Sequence, residues 1–222
     1  NERCASGEWD PQYIVLTGDL THDERLATYH LLRELLGEWL ARCLVIPGNH
    51  DVPFLMREAF PDLVLDDAEF ITFSVEAAGW RLIGLDSYLP GDLGGQVGSK
   101  QLQWLADELS AHAMEPTILF VHHPPVPVHS AHLDCIGLRD ADALLEIVAA
   151  CPQVRIISAG HVHQEFFIDL DGLHVMATPS TSVQFLPRQD ELICDSIPPG
   201  LRIFHLDGGL CRTEVVRVAR ET

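Results

Sequence analysis

The sequence predicts an α/β fold of two β-sheets with helices outside them. Three observations predict it. Two short apolar runs enclose a segment of helical periodicity between residues 13 and 47, the order of a strand–helix–strand unit with parallel strands. Strands and helices alternate again between residues 99 and 158, and the last third of the chain turns to paired strands of period two.

The elements justify themselves in order. Residues 13–17 (Tyr-Ile-Val-Leu-Thr) are preceded by Pro11 and ended by Gly18, as expected of a buried strand. Residues 24–41 repeat apolar side chains at Leu26, Tyr29, Leu32, Leu35, Leu36, Trp39 and Leu40, which is helical spacing. A second strand, 43–47, stops at Gly48. Residues 70–76 and 80–86 flank Ala77-Ala78-Gly79 and read as an antiparallel hairpin. Ser99 is placed to cap a helix running to about residue 112, followed by a strand at 117–121, a helix at 139–151 and a strand at 154–158. Two further hairpins are 165–170 with 173–177 around Asp171-Gly172, and 201–206 with 210–218 around Asp207-Gly208-Gly209. The longest stretch without predicted regular structure, 179–199, is polar and contains Pro187, Pro198 and Pro199; loops of that length in compact domains are often functional.

Composition narrows the classes. With 222 residues, 47% of them hydrophobic, the chain can bury one substantial core, so a single domain over 1–222 is expected. Fourteen basic against 33 acidic residues give a net charge of -19, which leaves no sequence-wide electrostatic reason to approach nucleic acid or an anionic membrane. A phosphate substrate would then need local positive charge, and bound metal could supply it. Six cysteines (Cys4, Cys43, Cys135, Cys151, Cys194, Cys211) include no C-x-x-C pair, which argues against a zinc ribbon and a disulfide framework and for reduced, mostly buried thiols. No apolar stretch of 18 residues and no signal-type start appear, so a soluble, cytoplasmic monomer or homodimer is expected.

Four short motifs follow predicted strands: Gly18-Asp19, Gly48-Asn49-His50-Asp51, His122-His123-Pro124-Pro125 and Gly160-His161-Val162-His163. Ligands of open α/β sheets gather beyond the carboxyl ends of strands, so the four can meet in one crevice. They offer carboxylate oxygen, amide oxygen and imidazole nitrogen, the donors a divalent or trivalent metal accepts, and Asp19 could bridge two ions. The glycines before Asp19, Asn49 and His161 permit turns that a Cβ would resist. Singly the motifs are weak, since an aspartate after a strand is often a helix cap and a histidine often packs without ligating. Together, in this order, they form one hypothesis. No G-x-S-x-G elbow supports a serine hydrolase.

These motifs resemble the ordered GD, GNH[DE], H and GHxH blocks of the calcineurin-like metallophosphoesterase superfamily. Within it, Gly160 to Glu165 and the block Ala177-Thr178-Pro179-Ser180-Thr181-Ser182-Val183-Gln184-Phe185 are similar to bacterial class III cyclic AMP phosphodiesterases. The resemblance implies a four-layer α/β/β/α sandwich of two mixed β-sheets flanked by helices. It implies hydrolysis of 3',5'-cyclic AMP to 5'-AMP at a binuclear centre with a bridging hydroxide nucleophile. Asp19 would be the bridging carboxylate, Asn49, His122 and His161 would complete the second metal site, and His163 would belong to the first. His122 is preferred to His123 because the family ligand is similarly followed, after one residue, by proline. His50 would contact the phosphate and assist the leaving oxygen, and Asp19, Asn49 and His163 would face substrate with it. The ions would be iron or manganese, with zinc also compatible. A broader phosphoesterase and a catalytically silent nucleotide-binding module stay open as alternatives.

The sequence departs from the family at two places. The family's D-x-H motif, which lies on a first strand and supplies two ligands to the first metal, is absent from residues 1–10. The domain is therefore expected to be N-terminally incomplete and to lack its first strand, with only Asp19 and His163 left for the first ion. Many members also carry an acid three positions after the GD aspartate to orient the catalytic histidine; here that position is His22, and Asp23 or Asp51 is the candidate partner of His50. His22, His30, His112, His129, His132, His174 and His205 match no family position and are expected to be surface or packing residues, while His123, Thr181, Ser182 and Gln184 stay open between pocket lining and local packing.

Overall fold

The computed structural model describes residues 7, 9–64 and 69–219. Strand β1 (Ile14–Thr17) pairs in parallel with β2 (Cys43–Ile46), Ile14 opposite Cys43 and Thr17 opposite Ile46. Their crossover is α1 (Leu26–Leu36) and a 3-10 turn, Gly37–Arg42. The single helix expected over 24–41 is thus broken. Gly37 takes φ 54°, open to a residue without a Cβ, and its N–H closes on the Arg33 carbonyl. Helix α2 (Pro53–Ala59) was not anticipated, although Pro53 at its first turn is a recognised start signal.

Strands β3 (Phe73–Ala77), β4 (Trp80–Leu85), β5 (Thr117–Val121), β6 (Val154–Ala159), β7 (Phe166–Leu170) and β8 (Leu173–Ala177) form a six-stranded sheet of order β3-β4-β5-β6-β8-β7. Its four inner strands are parallel and its two edges antiparallel, so the sheet is mixed. Helices α3 (Ser99–Ala111), α4 (Ala131–Asp134) and α5 (Ala141–Ala149) come from its connections. Ser99 is the first residue of α3 rather than its cap; the cap is Gly98, whose N–H, with that of Val97, is held by the Asp140 carboxylate at 2.7 and 3.0 Å. Residues 179–199 contain a two-residue ribbon, β9 (Gln184–Phe185) with β10 (Cys194–Asp195), and the chain continues into the hairpin β11 (Gly200–Asp207) and β12 (Leu210–Arg217).

Alternation along the strands builds the layers. In β5, Leu119 and Val121 point to a core shared with Leu105 and Leu109 of α3 and Leu144 and Val148 of α5, while Ile118 and Phe120 point the other way. That second core includes Ile46 and Met176, with Val15, Phe204 and Leu206 packed on it, so β1–β2 and β11–β12 cover one face of the large sheet. A third core joins Val45 to Tyr29, Met56 and Phe60 under α1 and α2. The order is helix, strand, strand, helix, the α/β/β/α arrangement. Among the described residues the second strand layer consists of a parallel pair and a hairpin that do not hydrogen-bond to each other.

The thiols differ from expectation. Cys43 is buried, but Cys151 and Cys211 are partly exposed and Cys135 and Cys194 exposed, since the last two lie on α4's edge and the ribbon rather than in a core; all five are unpaired, and Cys4 lies outside the described residues. No helix of the described residues is long and apolar enough to cross a membrane.

Candidate metal centre

All four motifs leave the carboxyl ends of strands: Asp19 after β1, Asn49 and His50 after β2, His122 and His123 after β5, His161 and His163 after β6. The backbone aims them. Asp19, His161 and His163 have φ of 54°, 64° and 51°, left-handed conformations that Asp and His tolerate better than most residues, at a cost of about 1–2 kcal/mol each. Close loop approach requires glycine at two points. A Cβ on Gly18 would lie 2.5 Å from His122 Nδ1, and one on Gly48 would overlap the Asp19 carboxylate and come within 2.7 Å of His122 Cε1.

The donor atoms converge. Asn49 Oδ1 lies 2.9 Å from His161 Nδ1 and 3.1 Å from His122 Nε2, and His122 Nε2 lies 3.4 Å from Asp19 Oδ2. His122 Nδ1–H donates to the Thr17 carbonyl at 2.7 Å, which leaves Nε2 as the free nitrogen of the neutral ring. Burial alone would raise the Asp19 carboxyl, but the His122 imidazole beside it and the His50 N–H, which donates to Oδ1 at 2.9 Å, hold it well below the usual carboxylate range. Burial would likewise depress His122, but the Asp19 charge and the Thr17 carbonyl outweigh it and raise its pKa. Burial, followed by the charge of His122, pushes His161 down to about 3, and burial also lowers His163. His161 is therefore a neutral donor at any ordinary pH.

This donor set fits a cation. In the neutral ring the His122 Nε2 lone pair faces two acceptors, the Asn49 amide oxygen and the Asp19 carboxylate, a juxtaposition relieved by a positive charge between them. His161 Nε2 is buried with no hydrogen-bond partner, so either tautomer of that ring leaves one nitrogen unsatisfied. Ring nitrogens of His122, His123 and His161 lie within 4.8 Å of one another. His123 nevertheless differs from the other two. Its Nε2–H donates to the Leu93 carbonyl at 3.1 Å and its Nδ1 accepts from the Ser87 hydroxyl at 2.8 Å, so both nitrogens are engaged by the protein. It fastens the loop after β4 to the site, and four first candidates remain for one ion: Asp19, Asn49, His122 and His161. His163 is tied elsewhere by Nδ1–H to the Val183 carbonyl at 3.0 Å, which leaves its Nε2 as donor; the charges of Asp19, His122 and His50 act on it, as they would on a ring at the same cleft.

Neither candidate carboxylate orients His50. Asp51, 2% exposed, accepts from the Gly48 N–H at 2.8 Å, the Leu20 N–H at 3.0 Å and the Tyr29 hydroxyl at 2.9 Å, so it staples the Asp19 and Asn49 loops together. Asp23 accepts from the Arg25 N–H and the Thr28 hydroxyl at the start of α1. The neighbour of the half-buried His50 ring is His22, with centroids 4.6 Å apart. His22, expected to be a surface or packing residue, is exposed and packs on that ring, three residues after Asp19. Tyr29 carried no mark in the sequence, because its hold on Asp51 is a tertiary contact. A separate cavity of about 370 Å³, lined by Trp80, Ile156, His174 and Cys211, contains none of the site residues named above and is no part of this centre.

Carboxylate, amide and imidazole donors gathered at one rim of two strand layers define a metal-dependent hydrolase centre. The calcineurin-like phosphoesterase profile matches residues 3–165, and the protein belongs to that family, which is hydrolytic and uses a dinuclear metal centre. Similar to it are the 3',5'-cyclic adenosine monophosphate phosphodiesterases CpdA of Escherichia coli K12, 37% identical over 93% of this chain and 74% of that protein, and of Pseudomonas aeruginosa, 34% identical over 98% and 78%. A dimetal phosphatase structure from Danio rerio shares the fold with a TM-score of 0.60 at 19% identity, covering 76% of this chain and 72% of the other.

Proposed function

We propose that this protein hydrolyses 3',5'-cyclic AMP to 5'-AMP with two metal ions, iron or manganese in preference to zinc. Convergence of Asp19, Asn49, His122 and His161 on one point carries the metal reading. Similarity to the CpdA phosphodiesterases over 93% of the chain supports the substrate. Asn49, His122 and His161 would hold one ion, His163 would contribute to the other, and the Asp19 carboxylate would span both. When bound, the pair supplies positive charge at the phosphate and lowers the pKa of an attacking water.

The chain's own residues supply the rest. A protein of net charge -19 would repel a cyclic phosphate, so attraction has to be local and would come with the ions this cluster would hold. His50 sits at the end of β2 with its backbone N–H fixed by Asp19 and its ring against His22, at the mouth of the centre. In the reaction the oxygen of water would bond to phosphorus as the bond from phosphorus to the ribose 3'-oxygen breaks; His50 would give a proton to that oxygen, and the proton that water loses would pass to solvent. Rates of the manganese-loaded protein on cyclic AMP, cyclic GMP and an aryl phosphodiester test the substrate. Preference for cyclic AMP is expected. Comparable or faster turnover of the aryl ester would replace this reading with a broad phosphoesterase, and metal and nucleotide binding without turnover would replace it with a binding module.

A further inference from the structure

The tripeptide Val183-Gln184-Phe185 grips His163 at three points. The Val183 carbonyl accepts from His163 Nδ1–H at 3.0 Å, the Phe185 ring lies parallel to the imidazole at 9° with centroids 4.8 Å apart, and the Phe185 N–H donates to the His163 carbonyl at 3.1 Å. The grip is itself anchored. Gln184 is 1% exposed; its Nε2 donates to the Ser180 carbonyl at 2.7 Å and its Oε1 accepts from Arg217 Nη1 at 2.8 Å. Phe185 pairs with Cys194 across the β9–β10 ribbon, and the Leu186 N–H donates to the Ile193 carbonyl at 2.8 Å.

Each contact removes one freedom of the ring. The carbonyl fixes the tautomer and makes Nε2 the lone-pair nitrogen; the stacked face blocks rotation out of plane; the backbone bond holds a residue at φ 51°. The other candidate imidazoles are held differently, His122 by the Thr17 carbonyl and His161 by Asn49. The geometry points to Phe185 as a positioning residue that orients His163, so that the ribbon in 179–199 tunes the ion His163 serves and leaves the Asn49–His122–His161 ion alone. This rests on the two-ion reading proposed above.

Phe185→Leu keeps apolar volume but loses the flat face, whereas Phe185→Tyr keeps both. Manganese titration of the natural-length protein, stripped of metal and followed by calorimetry and by electron paramagnetic resonance of the coupled ion pair, separates the two ions. The expected result for Phe185→Leu is a ten- to hundredfold weaker affinity for one ion, an unchanged affinity for the other and loss of the coupled-pair signal, with Phe185→Tyr restoring all three. Wild-type affinities for both ions in Phe185→Leu would overturn the inference. Equal weakening of both ions, or failure of Phe185→Tyr to restore, would also overturn it by showing a merely structural role. A wild-type protein that binds no manganese would instead overturn the two-ion reading itself, and the inference with it.

Discussion

On the proposed reading, His122 is the residue on which proton and metal compete. Its Nδ1 is committed to Thr17, so the same Nε2 takes either a proton or an ion. Its pKa in the fold is raised above the ordinary 6.5, so just above that pH His122 itself holds its proton more firmly in the folded metal-free protein than in the unfolded chain. The stabilisation is therefore fully present below about pH 6.5 and is lost as pH rises through the folded value. In urea unfolding of the stripped protein, the stability advantage of wild type over His122→Gln should shrink as pH rises above about 6.5, by at most about 1.4 kcal/mol per unit. An advantage that grows with rising pH would contradict the pairing. Gly48 permits the approach of the Asp19 and His122 loops, so Gly48→Ala should weaken manganese binding at least tenfold in calorimetry, because the added Cβ overlaps the Asp19 carboxylate.

At the scale of elements, what was legible was local chemistry. β5 was read without error because five apolar or β-branched residues lie between Pro116 and the His122-His123-Pro124 break. The β3–β4 turn was one residue shorter than read: Ala77 pairs with Trp80, leaving Ala78 and Gly79 at φ 51° and 79°. Alanine is poorly suited to that left-handed turn position, so Ala78→Asn should raise stability by about 0.5–1 kcal/mol in urea unfolding without changing turnover. What was not legible were partners distant in sequence. Nothing near Ser99 announces that Asp140, on the far side of β5, holds the start of α3; Asp140→Ala should cost about 1–2 kcal/mol. The same limit explains why His123 stayed open, since its partners Ser87 and Leu93 lie in the loop after β4. It explains as well why Asp51 was offered as a partner of His50 when its ligands are Gly48, Leu20 and Tyr29.

At the scale of the whole molecule, four loops from two strand layers meet because every one of them follows the carboxyl end of a strand, and that rule let residues from 19 to 163 be read as one site. The layers themselves follow from alternation in strands such as β5, which feeds two cores. A cation shared by Asp19, Asn49, His122 and His161, as proposed, would bind the folded chain alone, so manganese at one hundred times its dissociation constant should raise unfolding free energy by about 2.7 kcal/mol. The most direct test of the central claim is 5'-AMP release from cyclic AMP by the natural-length protein, stripped with chelator and then reloaded with manganese. The expected result is no release from the stripped protein, restored release on reloading, and none from reloaded His122→Gln. Undiminished release from the stripped protein, or no release from reloaded protein that turns over another phosphoester, would contradict it.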